Sequence, residues 1–286
     1  MILKKGLKIK RQERDCTLLE NAKMKKLIGS VLLSGFIFTA TAQKKSKLLS
    51  GMYLQWGYNT EWYTKSNIHF NTLVDGVDHN FTIYKAKAHD RSDMDGLVKK
   101  PLQVSIPQYN YRVGFYLNKK HTKAIEINFD HTKYIIYNNQ VVRAKGNIGN
   151  NYFDKDTSFT FNQVHFEHTN GANFYHINYV RQYDLKRNAK RPVFTALWKA
   201  GAGILIPKTD ITLSNKRVDN RFIIAGYCFG AEGGARWYVS RKLFFEGAAK
   251  AGFANYTNAL GVGNGKVNHS FGYFELIGTI GYDINF

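Results

Sequence analysis

The sequence predicts an all-β fold: a single up-and-down antiparallel transmembrane β-barrel of eight strands, with ten strands as the alternative. Three observations predict it. Apolar and polar residues alternate with a period of two over stretch after stretch, the links between stretches alternate between short and long, and the chain ends on such a stretch with Phe286 as its last residue. Composition agrees: among 286 residues there are 20 Phe, 18 Tyr and 25 Gly but only 4 Pro, a bias toward strands joined by turns. The low mean hydropathy excludes a bundle of membrane helices. It does not exclude a membrane barrel, in which only alternate residues meet lipid.

Residues 1–23 are charged and carry no apolar period, and they read as an extension ahead of the true start at Met24. Met24-Lys25-Lys26 is a short basic start, Leu27 to Phe38 is an apolar run, and Ala40-Thr41-Ala42 is a small-x-small cleavage site before Gln43. That is the layout of an export signal over 24–42, too short to stay as a membrane helix. The barrel domain is then 43–286, and the location expected is the outer membrane of a Gram-negative bacterium. Cys16 falls in the removed segment, so Cys228 stands alone and reads as a small apolar filler.

The last stretch is the plainest strand. Phe274, Leu276, Ile280, Tyr282, Ile284 and Phe286 share one face, and Glu275, Thr279, Asp283 and Asn285 share the other, with Ile277 the exception. Alternation of the same kind marks 51–63, 105–117, 122–137, 172–184, 193–205, 222–239 and 242–256. Between these eight stretches the links 118–121, 185–191 and 240–241 are short, and 64–104, 138–171, 206–221 and 257–268 are long. Short and long alternate throughout, as in a barrel with short periplasmic turns and long external loops. Residues 77–89 and 157–168 are also strand-like. The eight-strand count makes them extensions inside external loops, and the ten-strand alternative promotes them to the wall.

A soluble sandwich would bury the apolar faces of two sheets against each other. Two features speak for the barrel instead. The polar faces carry charges of both signs, and aromatics gather near strand ends (Tyr53, Trp56, Trp62, Trp237, Tyr238, Tyr256) as in an interfacial girdle.

Eight strands leave an interior just wide enough for side chains to fill. The inward set expected there is Glu61, Arg112, Glu126, Asp130, His176, Lys199, Glu232, Arg236, Glu246, Lys250, Glu275 and Asp283. Such charges must pair in a dry lumen. They read as a structural salt-bridge plug, with Glu232/Arg236 and Glu246/Lys250 placed to pair across neighbouring strands, and a wide solute channel is not expected.

The formal charge is +20, partly because residues 1–42 hold nine Lys/Arg against three Asp/Glu. A basic surface suits nucleic acid or anionic lipid. With no basic helix or nucleic-acid motif, nucleic acid is not an expected partner. Outer-membrane lipid and lipopolysaccharide are, through the basic loop residues Lys85, Lys87, Lys99, Lys100, Lys145, Lys155, Lys208, Lys216 and Arg217.

Several segments carry a family likeness: Ala40-Thr41-Ala42-Gln43, Ile106-Pro107-Gln108-Tyr109-Asn110-Tyr111-Arg112-Val113-Gly114, Phe129-Asp130-His131-Thr132-Lys133-Tyr134 and Gly281-Tyr282-Asp283-Ile284-Asn285-Phe286. Over nearly all of 43–286 the chain resembles the small outer-membrane barrels of the OmpA transmembrane-domain type. It is closer still to the outer-membrane β-barrel proteins of Bacteroidetes-like bacteria. The resemblance implies that Phe286 is read by the barrel-insertion machinery. It specifies no chemistry, and no cofactor is expected.

One enzyme class remains as an alternative, a lipid A-modifying hydrolase. Glu167-His168-Thr169-Asn170-Gly171 is partly similar to the His-x-Ser-Asn motif of lipid A deacylase barrels, which makes His168 the candidate catalytic residue. The position two after His168 is Asn170 rather than a nucleophile, and the next carboxylate is Asp184. Without that chemistry, Asn170-Gly171 is simply a tight turn. For metals, His165 and His168 lie three apart and so face opposite sides of a strand. Asp90, Asp93 and Asp95 lack the Glu that a calcium loop requires. No metal site is therefore expected. Gly201/Gly203 and Gly230/Gly233/Gly234 are strand glycines rather than phosphate loops, since no helix follows.

Overall fold

The computed structural model describes residues 49–92, 96, 99, 108–168 and 170–286. The extension 1–23, the signal 24–42, Ile106, Pro107, Asp93, Asp95, Lys100 and Thr169 lie outside the described residues.

In chain order the strands are β1 (Gly51–Tyr63), β2 (Ser66–Val74), β3 (Val77–Ala86), β4 (Ala88–His89), β5 (Tyr109–Tyr116), β6 (Lys123–His131), β7 (Tyr134–Ile136), β8 (Val141–Ile148), β9 (Asn151–Ser158), β10 (Val164–His168), β11 (Phe174–Arg187), β12 (Pro192–Leu205), β13 (Lys208–Leu213), β14 (Lys216–Phe222), β15 (Gly226–Tyr238), β16 (Leu243–Leu260) and β17 (Lys266–Asn285). Eight of them close a ring in the order β1, β5, β6, β11, β12, β15, β16, β17. The ring shuts where β1 pairs antiparallel with β17, from Gly51 opposite Asn285 to Tyr63 opposite Tyr273. Closure leaves no free sheet edge in the wall. The ring is all antiparallel, so a short link is enough wherever consecutive strands are neighbours.

The eight wall strands are those the alternation marks. The strand-like stretches 77–89 and 157–168 stay out of the wall, which removes the ten-strand alternative. Two ranges are corrected. The stretch 122–137 is not one strand: the wall ends at His131, and Tyr134–Ile136 turns away into a second sheet. The stretch 222–239 joins the wall only from Gly226.

At the end opposite the short turns, the long links build a cap. β17 overruns the ring and carries β2, β3, β8 and β9 beside it, while β14, β13, β10, β7 and β4 form a separate five-stranded sheet. The two sheets pack face to face around Ile68, Phe70, Phe81, Tyr134, Phe166 and Ile211, all buried. Phe70 of β2 meets Phe166 of β10 edge-on at 6.1 Å between ring centres, and Tyr134 of β7 stacks on Phe271 of β17 at 4.5 Å. Each such ring contributes roughly 1.5–3 kcal/mol of burial.

Polarity in the ring is inverted relative to the cap. Outward positions are apolar and bare: Ile127, Ile177, Trp198, Phe229, Phe274 and Leu276 are exposed, Ile177 by 62% and Phe229 by 51%. Inward positions are polar and buried. The girdle expectation needs correction here. Trp56, Trp62 and Trp237 do face outward, but Tyr53, Tyr238 and Tyr256 are buried inside. Tyr53 shares the strand face of Gln55 and Glu61, so the period of two sends it inward.

Candidate functional site

The lumen is filled in layers. At the short-turn end Tyr53, Tyr116, Tyr238 and Phe244 form an aromatic floor. Two glycines make room for it. A Cβ on Gly114 would sit 1.9 Å from Tyr53 Cζ, and one on Gly281 would sit 2.2 Å from Phe244 Cζ. The Arg236 guanidinium lies over both rings, 4.2 Å from the centre of Tyr53 and 4.5 Å from that of Phe244, an attractive cation–π arrangement.

Above the floor stands an ion network. Lys199 Nζ donates to Glu126 Oε2 at 3.0 Å and to Glu246 Oε1 at 2.7 Å, and it lies 3.1 Å from Glu232. Arg112 Nη1 donates to Glu232 Oε1 at 2.8 Å, and Arg236 Nε donates to Glu246. Higher still, Lys250 Nζ donates to Asp130 at 2.5 Å and lies 3.5 Å from Glu275. Glu61 accepts from Tyr63, His176 Nε2 meets Cys228 Sγ at 3.2 Å, and Asp283 accepts from Tyr116 at 2.8 Å near the floor. All twelve residues of the inward set are thus buried in the lumen, and ten of them fall in two groups: Arg112, Glu126, Lys199, Glu232, Arg236 and Glu246, with Asp283 linked to Arg236 through Tyr116 at 2.8 and 3.2 Å, and Asp130, Lys250 and Glu275. Glu61 and His176 sit beside these groups.

The neighbouring-strand expectation holds in part. Arg236 pairs with Glu246, Glu232 lies 3.1 Å from Lys199 and Lys250 lies 3.5 Å from Glu275, each on an adjacent strand. Glu232 and Lys250, though in register with each other, also reach across the barrel to Arg112 of β5 and Asp130 of β6. Neutral partners that the charge pattern missed add to the network. Tyr53 donates to Glu126 at 2.7 Å, Gln55 to Glu246 at 2.8 Å and Asn59 to Glu275 at 2.6 Å. Their signal in the sequence was the strand face they share with the charges. The buried, paired side chains can hold the wall together across the lumen.

His168 sits apart, in the cap. Its Nε2 meets His269 Nε2 at 3.0 Å, and its Nδ1 meets the Thr209 hydroxyl at 3.2 Å. Tyr256 stacks on it at 4.4 Å. Burial holds the imidazole down at about 3, against a small opposing pull from Glu167. A hydrolase needs a hydroxyl, a base and an orienting carboxylate in line. His168 has the hydroxyl, but its second partner is another histidine, and the pair is wholly buried. His165 points elsewhere, to Asn138 at 3.0 Å and Glu167 at 3.4 Å.

Among the external basic residues, Lys208, Lys216 and Arg217 are engaged by Asp219, Asp75 and Asp210, and Lys145 lies 3.7 Å from Asp154. Lys85, Lys87 and Lys155 have no acidic partner among the described residues.

No family model matches the chain, and no curated protein matches it. Solved structures are similar only at low identity. OprG of Pseudomonas aeruginosa is 12% identical, with a TM-score of 0.40 over 83% of this chain and 98% of that one. Neisserial surface protein A is 11% identical, with a TM-score of 0.35 over 82% and 97%. The outer-membrane protease OmpT of Escherichia coli is 8% identical, with a TM-score of 0.37 over 85% and 99%. Likeness of this degree carries no argument about this chain; its own strand pairing establishes the closed barrel.

Proposed function

We propose that this chain is an outer-membrane β-barrel with a sealed polar lumen, serving as a structural anchor that holds a two-sheet module at the cell surface. One observation carries the reading: a closed wall that is apolar outside and ion-paired inside. Exposed apolar side chains on the wall, such as Ile127, Ile177, Phe229 and Phe274, are unusual on a soluble monomer, where large apolar patches mark contact surfaces. Hydrocarbon suits them, because a closed barrel satisfies every wall hydrogen bond internally.

On this reading the short turns and both strand ends at Gly51 and Asn285 face the periplasm, and the cap faces outward. Phe286 is then available to the insertion machinery. Lys85, Lys87 and Lys155 are the cap cations free to meet lipopolysaccharide phosphates or another anionic surface.

The test is fractionation followed by reconstitution. The protein should sediment with the outer membrane, shift in gel mobility only after boiling, and add no ion conductance to lipid vesicles. Recovery in the soluble periplasm, or a steady conductance, would overturn it.

A further inference from the structure

We propose that the short-turn mouth of the barrel is a binding site for a phosphate-bearing anion. The mouth is a cup of about 580 Å³, within the size range of small-ligand sites. Three turns that are not neighbours in sequence supply its cations: Lys119 and Lys120 from the β5–β6 turn, Lys190 and Arg191 from the β11–β12 turn, and Arg241 from the β15–β16 turn. Arg187 stands at the same rim, tied to Asp184.

The turns are fixed, so the cations stand on a rigid frame. Asn118 Oδ1 accepts from the backbone N–H of Thr122 at 3.0 Å and Lys123 at 3.1 Å, Asn188 Oδ1 from those of Lys190 at 2.9 Å and Arg191 at 2.8 Å, and Ser240 Oγ from that of Leu243 at 2.9 Å. Arg191 bridges two of the turns by donating to the carbonyls of Tyr238 and Val239.

Two features of the cup point to an anion. Asp184 and Asp283 also line the cup, but Asp184 is engaged by Arg187 and Asp283 accepts from Tyr116; Lys119, Lys120, Lys190 and Arg241 have no acidic partner among the described residues, so the cations outnumber the carboxylates. Gln182 also lines the cup, 3% exposed as a residue, and its Nε2 is buried with no hydrogen-bond partner among the described residues. A buried donor below a ring of ammonium and guanidinium groups complements a compact oxyanion. Phosphate fits best, since it carries close to two charges as a monoester and accepts from both Lys and Arg.

Two sources share this chemistry, a soluble phosphate ester and the headgroup of an anionic phospholipid beside the barrel. The probes are inorganic pyrophosphate, titrated calorimetrically into the full chain in neutral detergent, and phosphatidylglycerol, read by its retention in native mass spectrometry. Pyrophosphate binding supports the soluble source, lipid retention alone supports the headgroup, and both together support the shared chemistry.

The variant Lys190→Gln/Arg241→Gln should weaken binding at least tenfold, as should Gln182→Leu, and raised salt should weaken it further. The cap variant Lys145→Gln/Lys155→Gln should bind as the parent does. Heat-dependent gel mobility checks that each variant is folded, and Lys119→Gln/Lys120→Gln replaces the first pair if that one is not. No binding of either probe, or an equal loss in the cap variant, overturns the proposal. The soluble assay does not depend on membrane placement, so its failure is distinguishable from failure of the anchor reading.

Discussion

Arg112 and Glu232 stand on opposite walls of the barrel, four strands apart around the ring, and their side chains meet at 2.8 Å across the lumen. Lys250 and Asp130 do the same one layer higher. These cross-braces tie opposite walls of the eight-stranded ring together.

The first prediction concerns that brace. Glu232→Gln removes one partner and leaves Arg112 short of a buried counter-charge, at a cost of about 3–5 kcal/mol. The double variant Arg112→Met/Glu232→Leu should lose clearly less than Glu232→Gln alone. Urea unfolding in detergent micelles, followed by tryptophan fluorescence, compares the two. A double variant weaker than the single would contradict the brace.

The second concerns the aromatic floor. Gly114→Ala places a methyl against the Tyr53 ring, and crowding of this kind costs about 1–3 kcal/mol. It also pulls the Tyr53 hydroxyl from Glu126. The paired variant Gly114→Ala/Tyr53→Leu should recover part of the loss in the same unfolding assay.

The third concerns the outer belt. Ile177→Arg puts a charge at an exposed wall position flanked by Ile127 and Ala202. Near the bilayer midplane this costs about 2–4 kcal/mol, and the folded yield in vesicles should fall accordingly. Val141→Arg, on the exposed rim of the cap, should fold as the parent does.

The fourth concerns acid. The His168 imidazole is held at about 3 by burial, against roughly 6.5 when unfolded. Burial also pushes His269 down, and His168 beside it adds to that. The unfolded cap therefore binds more protons, so its stability is full above about pH 6.5 and is lost as pH falls toward 3, by on the order of a few kcal/mol. Amide exchange over 164–168 should quicken between pH 6.5 and 4. His168→Phe/His269→Phe should flatten that dependence.

The wall was legible because its strands have one wet or lipid-facing side and one filled side, so the period of two survives in the letters. The cap was legible only in part. The stretches 77–89 and 157–168 read as strand-like, but β7, β10 and β13 are buried on both faces, so no exposed face marked what they pack against. The inward charges were readable from their strand faces, but their partners were not. Whether Glu232 reaches Lys250 beside it or Arg112 opposite depends on the bore of the closed ring, which no local pattern encodes. The mouth cup escaped notice because its cations come from three separate turns.

The central claim, a barrel set in lipid with a sealed lumen, is tested most directly by fluorophores attached to single cysteines. Ile177→Cys and Phe229→Cys place the label on the belt and Val141→Cys places it on the cap, with the buried Cys228 left in place. In vesicles, quenchers carried on lipid tails should darken the two belt labels and spare the cap label, while water-soluble iodide should do the reverse. Iodide quenching of the belt labels as strong as that of the cap label would contradict the account.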